Sequence, residues 1–356
     1  MNKMPYISIF NKDSNKKFEL IKFLKILFVD YSEDHWNWEF KNSHILTADY
    51  NGRIIGHYAI LKLPFYCNNK LINGAKAEGS LVDLKALKGL PKGPERNVFL
   101  NLVKQYINSS NDINIDLTFG FPNSKALPGQ IKGGYEVVKV KVIPRFMLLR
   151  STRKIESIFS KGWISNIFSF LIDQVIQLFF IPRNVAFFPG VSDADKEKLK
   201  IFSAQVSKEN PNIIFQGKTW EYIDWRFNKN PYTKNKIFTI RGNQNQIYGI
   251  LILAVENQGP NCIGSIQDFS FTKKASRSDV KKIFKTGIHW LYNQKVQTIQ
   301  FWQSDCRPFA AVTPSFSQLG FIIKKNISIR EMIVHSNNNI DISSKNWYVT
   351  KAFKRY

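Results

Sequence analysis

One order of predicted elements occurs twice along the chain. The first copy opens with two β-rich runs, 45–50 and 53–63, about the turn Asn51-Gly52. A strand (75–84) follows, then a helix (96–107) with Val98, Phe99, Leu102, Val103 and Tyr106 along one side. A strand (113–120), a short helix or loop (124–133) and a strand (135–149) complete it. The second copy runs 237–241, the turn Gly242-Asn243, 246–256, a strand at 264–271, and a helix over 278–293 with Val280, Ile283, Phe284, Ile288 and Leu291 as its apolar stripe. A strand (296–303), a helix (308–319), Gly320-Phe321 and a last strand close it. Hairpins make antiparallel neighbours, whereas strand–helix–strand crossovers make parallel ones. Each copy must therefore build a mixed sheet with helices packed on it. The expected class is α/β (α+β), with domains at 1–150 and 196–356 joined by a linker at 151–195. A length of 356 residues suits two domains.

The linker is the most apolar part of the chain. Within 155–182 only Glu156, Lys161 and Asp173 are charged, and Arg150, Arg153, Lys154 and Arg183 flank it. A bilayer span needs about 20 apolar residues. Asp173 would then lie at mid-membrane, at a cost of about 2.5–3.5 kcal/mol. Three placements stay open: a span, an interfacial helix on an anionic membrane surface, and a helix buried between the domains.

The formal net charge is +24. A field of that sign attracts nucleic acid, anionic lipid and phosphorylated small molecules. A lysine-rich composition inherited from the source genome is the plainer explanation. Cys67, Cys262 and Cys306 have neither metal-ligand nor redox spacing, and the five histidines form no cluster, so no metal site is expected. The first 20 residues carry Lys and Asp throughout and lack the apolar core of a signal peptide. The expected location is cytoplasmic, with peripheral attachment at the inner face of the membrane.

The chemistry concentrates in the first copy. Leu117-Thr118-Phe119-Gly120-Phe121-Pro122-Asn123-Ser124, then Leu127-Pro128-Gly129, then Lys132-Gly133-Gly134-Tyr135 resemble the end of an acetyltransferase unit of the GNAT superfamily, in the subgroup found in surface-polysaccharide loci. Gly79-Ser80-Leu81-Val82-Asp83 resembles that family's Gly-x-x-Val-Asp strand ahead of the pyrophosphate loop. The resemblance implies an N-acyltransferase using acetyl-CoA or another acyl-CoA. Its acceptor would be an amino group on a small-molecule or lipid-linked glycan precursor. It further implies cofactor contacts from Leu81, Val82, Lys88, Gly89, Lys92, Gly93, Arg96 and Asn123. Such chemistry needs backbone N–H groups at a helix N-terminus for the pyrophosphate, donors for the developing oxyanion, and a base for the ammonium proton. Asp83 is the first candidate for base or positioning work, with a turn cap as its alternative, and Glu78 the second. Asn123 and Ser124 are candidates to hydrogen-bond the pantetheine arm or the leaving thiol, with a helix cap as their alternative. The loop 88–96 departs from the family pattern: Arg-Gly-x-Gly is absent, and Pro91 and Pro94 remove N–H donors.

In the second copy, 218–227 with Asn230-Pro231 resembles the Trp-Arg-aromatic…Pro entry segment of such units, and Trp36-Asn37-Trp38-Glu39-Phe40 resembles it in the first. The segment 272–277 contains no glycine, so the second unit is expected to bind the acceptor or to serve as scaffold. Trp36, Trp38, Trp225 and Asp268 are the candidate acceptor contacts; interior packing is the alternative for each tryptophan. Two other functions remain open: a Fem-type transferase using aminoacyl-tRNA, and a non-catalytic membrane-peripheral binding protein on the same fold.

Overall fold

The structure is a computed structural model. It describes residues 6–9, 16–26, 31–90, 93, 96–151, 163–182, 185–258, 261–306, 308–323, 328–337, 340–343 and 346–353. The chain forms two compact units. Unit 1 comprises Met1–Phe65, Leu71–Lys139 and Arg330–Ser344; unit 2 comprises Tyr66–Lys70, Val140–Ile329 and Lys345–Tyr356. These differ from the expected contiguous division at 150 and 196: the chain leaves unit 1 at residue 139 and re-enters it near its end.

Unit 1 starts with β1 (Tyr6–Ile9), α1 (Lys17–Leu24) and α2 (Glu33–Glu39). β2 (Ser43–Tyr50) and β3 (Arg53–Cys67) form the expected antiparallel hairpin, its tip residues Asn51 and Gly52 both at positive φ. β4 (Lys70–Val82) follows, then α3 (Leu84–Lys88), α4 (Val98–Ser109) and β5 (Leu117–Gly120). β5 runs parallel to β4, as the crossover through α4 requires. The core lies between this sheet and α4, where Leu46, Ile55, Tyr58, Ile60 and Ala75 meet Val98, Leu102, Val103 and Tyr106. α5 (Leu127–Gly133) explains the Lys-x-Gly-aromatic sequence in packing terms. A Cβ at Gly133 would sit 2.2 Å from Val103, and Gly134 ends the helix at φ +115°. Tyr135 then places its hydroxyl 2.9 Å from that of Tyr58.

β6 (Glu136–Leu148) carries the chain into unit 2. There α6 (Trp163–Phe180) covers the described part of the apolar segment. α7 (Lys196–Glu209), β7 (Phe215–Gln216) and α8 (Trp220–Ile223) lead into the antiparallel β8 (Thr233–Arg241), β9 (Ile247–Gln258) and β10 (Asn261–Phe271). α9 (Arg277–Asn293) crosses to β11 (Thr298–Ser304), parallel to β10. The expected helix 308–319 is a run of turns that closes with a single 3₁₀ turn, Ser317–Leu319. Pro314 supplies no N–H donor in the middle of it. β12 (Ile322–Ile323) pairs with β6, whose other edge pairs antiparallel with β11.

β13 (Ser328–Ser336) returns to unit 1 and lies antiparallel to β5, with Ile333 opposite Gly120. Each unit thus finishes its sheet with a strand from a distant part of the chain. Unit 2 receives β6 against β11; unit 1 receives β13 against β5.

Candidate functional site

In unit 1, β4 and β5 are hydrogen-bonded only from Gly74–Leu117 to Lys76–Phe119. Past Lys76, β4 continues to Val82 while β5 ends at Gly120, so beyond the Lys76–Phe119 pair this edge of β4 has no strand partner among the described residues. Residues 77–80 are half-buried there. Gly79, at φ +62°, kinks β4 within this unpaired stretch, a backbone state that L side chains adopt with strain. Its carbonyl is held 2.7 Å from His57 Nδ1. A carbonyl only accepts, so Nδ1 carries the proton and donates. On its other edge β4 stays paired with β3, since Asp83 N–H donates to the Ile55 carbonyl.

Asp83 terminates this strand, and its carboxylate is heavily engaged. Oδ1 accepts from the Lys85 and Ala86 N–H groups as the N-cap of α3, and Oδ2 accepts from Arg53 at 2.7 Å. That arrangement fixes the exit from β4 and leaves little free acceptor capacity for a substrate proton. Glu78 lies next to the kink and is paired with Lys76 on the same face of β4. Leu81 is buried and Val82 packs on the unit 1 core. Lys88, Gly89, Gly93 and Arg96 are exposed along the β4–α4 connection, and Lys92 lies outside the described residues.

The helix beyond this connection matters more than the loop sequence suggests. α4 has no side-chain cap from Asn97 and no acidic residue in its first turn. Its free N–H groups and positive dipole end follow directly after Arg96. In unit 2 the corresponding α9 is different: Ser276 caps it, and Asp279 stands in its first turn. Sequence reading weighed the loop residues and missed the uncapped helix start; Asn is among the best capping residues, so nothing at position 97 signalled it. Asn123 Oδ1 accepts from the Lys125 and Ala126 N–H groups, a local turn, and Ser124 is exposed beside it.

Unit 2 repeats the kink in another form. β10 bulges between Ile266 and Asp268, beyond the last parallel pair Ser265–Gln300. Asp268 therefore occupies the place along β10 that Glu78 occupies along β4, and it too is paired with a lysine. Lys218 Nζ lies 2.7 Å from Asp268 Oδ2 with side-chain exposures of 1% and 2%. Burial pushes the Asp268 carboxyl above the usual carboxylate range, against the pull of Lys218. A cavity of about 320 Å³ lies past the parting of β10 and β11, with Phe269, Phe309, Phe316, Tyr348, Arg145 and Arg277 among its lining. Cys306 also lines it, but burial and Asp305 push its thiol up to about 12, which keeps it protonated and poorly nucleophilic.

The candidate sugar-stacking tryptophans are interior. Trp36 and Trp38 are buried in unit 1, with Trp36 edge-on to Phe40 at 5.1 Å. Trp225 is buried in unit 2 beneath Arg226.

No protein-family model and no curated protein sequence matches the chain. Solved structures do. A GCN5-related N-acetyltransferase from Anabaena variabilis superposes with a TM-score of 0.56 at 13% identity, over 94% of this chain and 73% of that one. A probable N-acyltransferase from Enterococcus faecalis gives 0.59 at 10% identity, over 94% and 73%. Saccharomyces cerevisiae N-myristoyltransferase, solved with bound myristoyl-CoA, gives 0.56 at 10% identity, over 100% and 84%. At such identities the likeness is one of architecture, and it agrees with the mixed sheets, the short parallel strand pairs and the helix crossovers: the chain has the GNAT-like fold shared by these N-acetyltransferases and N-myristoyltransferases.

Proposed function

We propose that the chain is an acyl-CoA-dependent N-acyltransferase whose donor site is the edge of β4 beyond its pairing with β5. The observation that carries this reading is the continuity from that unpaired edge, through the Gly79 kink, to the uncapped start of α4. In this reading the pyrophosphate rests on the first N–H groups of α4, with Arg96 and Lys88 as counter-charges. The thioester lies along β4 past Lys76, where backbone donors no longer paired with β5 receive the carbonyl oxygen. The acceptor nitrogen attacks the thioester carbon, the C–S bond breaks, CoA leaves as thiolate, and the ammonium proton passes to a base. Glu78 is the better base, because Asp83 is occupied as a helix cap. The acceptor we favour is an amino group on an anionic glycan precursor, in keeping with the Gly-Phe-Pro-Asn resemblance and the charge of +24.

Isothermal titration with acetyl-CoA tests the donor site, and thiol release in the presence of nucleotide-linked amino sugars tests the reaction. Arg96→Glu is expected to weaken acetyl-CoA binding by at least tenfold. Glu78→Gln is expected to keep binding and to lower turnover by about 10²–10⁴-fold. Absence of acetyl-CoA binding by the intact protein, with tight tRNA binding instead, would transfer the reading to an aminoacyl-tRNA donor.

A further inference from the structure

α6 presents its faces the wrong way round for a helix of a water-facing protein. One narrow stripe, Ser169, Asp173 and Ile176, points to the body of unit 2. The attachment is polar. Ser151 N–H donates to Asp173 Oδ1 at 2.6 Å, and the Ser151 hydroxyl donates to the Ser169 carbonyl at 3.0 Å. The rest of the described helical surface is exposed and mostly apolar: Phe170 is 61% exposed, Leu171 54%, Leu178 60% and Phe179 71%. Gln174 and Gln177 are the polar exceptions, and no charged side chain faces outward between 167 and 180. The apolar surface continues past the helix. Phe180 abuts Gly320, two residues before exposed Ile322 and Ile323, and Phe187, 89% exposed, follows in the next segment. Patches of this size on a soluble surface mark a site of contact.

We infer that this face seats on an anionic membrane surface, with α6 lying flat in the lipid interface. Asp173 no longer argues against lipid contact, because it is turned inward onto Ser151. Charge selects the occupant. The chain carries +24, so a second copy brings a like-charged surface, whereas an anionic leaflet is attracted. Cations lie on the neighbouring helix. Thr286 of α9 donates to the Ala186 carbonyl, next to Phe187, and Lys282 and Lys285, both exposed, precede that threonine by four residues and by one, with Lys282 3.5 Å from Asp279. An apolar face accompanied by lysines is the pattern of interfacial helices. The inference is independent of the acyl-transfer reading.

The test is co-flotation of the full-length protein with vesicles of phosphatidylcholine alone and with about 30 mol% phosphatidylglycerol, against the double variant Phe170→Gln/Leu178→Gln. Both side chains are exposed, so the variant should fold, and an unchanged circular dichroism spectrum and melting temperature establish that it does. The expected result is binding to the anionic vesicles that exceeds binding to neutral ones and falls at least tenfold in the variant. A second variant, Lys282→Glu/Lys285→Glu, should lose the preference for anionic lipid while keeping its melting temperature. Equal flotation of wild type and the apolar double variant overturns the inference. So does failure to bind either vesicle, and a wild-type dimer in light scattering that the double variant converts to monomer would assign the face to a second copy instead.

Discussion

Replacing Lys218 with methionine removes one half of a fully buried ion pair and leaves the other in place. At 2.7 Å and an effective dielectric of about 20, the attraction between Lys218 and Asp268 is about 6 kcal/mol. Desolvating each ion costs several kcal/mol, so the intact pair nets close to zero. The variant keeps the Asp268 desolvation cost, loses the attraction, and also loses the bond from Nζ to the Gln216 carbonyl at 2.8 Å. The expected loss is about 3–5 kcal/mol at pH 7. Asp268 Oδ1 is buried without a hydrogen-bond partner, so little can take over. The pH dependence gives the sign. Asp268 has a folded pKa raised above the unfolded value of about 3.9, so the native state holds the extra proton between the two. Its burden on stability appears as pH rises through that window and is relieved as pH falls. Without Lys218 the pKa rises further, so the deficit of the variant should shrink towards pH 4. Guanidinium unfolding followed by tryptophan fluorescence reads this, since Trp225 and Trp347 are buried in unit 2. The double variant Lys218→Met/Asp268→Leu should return to within about 2 kcal/mol of wild type. A single variant within about 1 kcal/mol of wild type at pH 7 would refute the reasoning.

Two further perturbations probe the units separately. Arg241 grips both oxygens of Asp195, at 2.8 and 2.9 Å, and the guanidinium holds that carboxyl well below its usual range. Arg241→Met should cost about 2–3 kcal/mol at pH 7, and the gap from wild type, measured by denaturant unfolding at several pH values, should close as pH falls below about 4, where the lowered folded pKa ceases to contribute. Gly134→Ala places a Cβ at φ +115° and should lower stability by about 1–2 kcal/mol, seen as a lower melting temperature with the secondary structure unchanged by circular dichroism.

Local signals read well because local physics wrote them. Asn51-Gly52 takes the positive-φ turn its hairpin needs, and Gly320 makes the turn before Phe321 in the left-handed conformation. The stripes of α4 and α9 point inward as their spacing requires. Longer-range features were hidden. The exchange of β6 and β13 leaves no trace in periodicity, since a strand pattern says which face is buried and not which sheet edge it meets. The role of Asp83 was hidden too. A carboxylate at a strand end suits both a base and a helix cap, and only the positions of Lys85, Ala86 and Arg53 separate the two. The strand Gly79–Asp83 was singled out in the sequence for its motif, whereas the reason Gly79 is glycine, a kink at positive φ where β5 has departed, needed the register. The absence of a cap at Asn97 and the inward turn of Asp173 likewise depend on contacts that sequence does not specify.

The strand exchange also sets an order of events during synthesis. Unit 1 lacks the partner of β5 until residues 330–344 have emerged, although most of its core lies before residue 140. The first half of the chain must wait with an open sheet edge at β5 while most of unit 2, through Ile329, is made. Such long-range closure slows folding. A messenger cut short before the codons for β13 would therefore release a protein damaged in its first unit, and a fragment ending at residue 139 should need the missing strand, supplied as a peptide, to complete its fold.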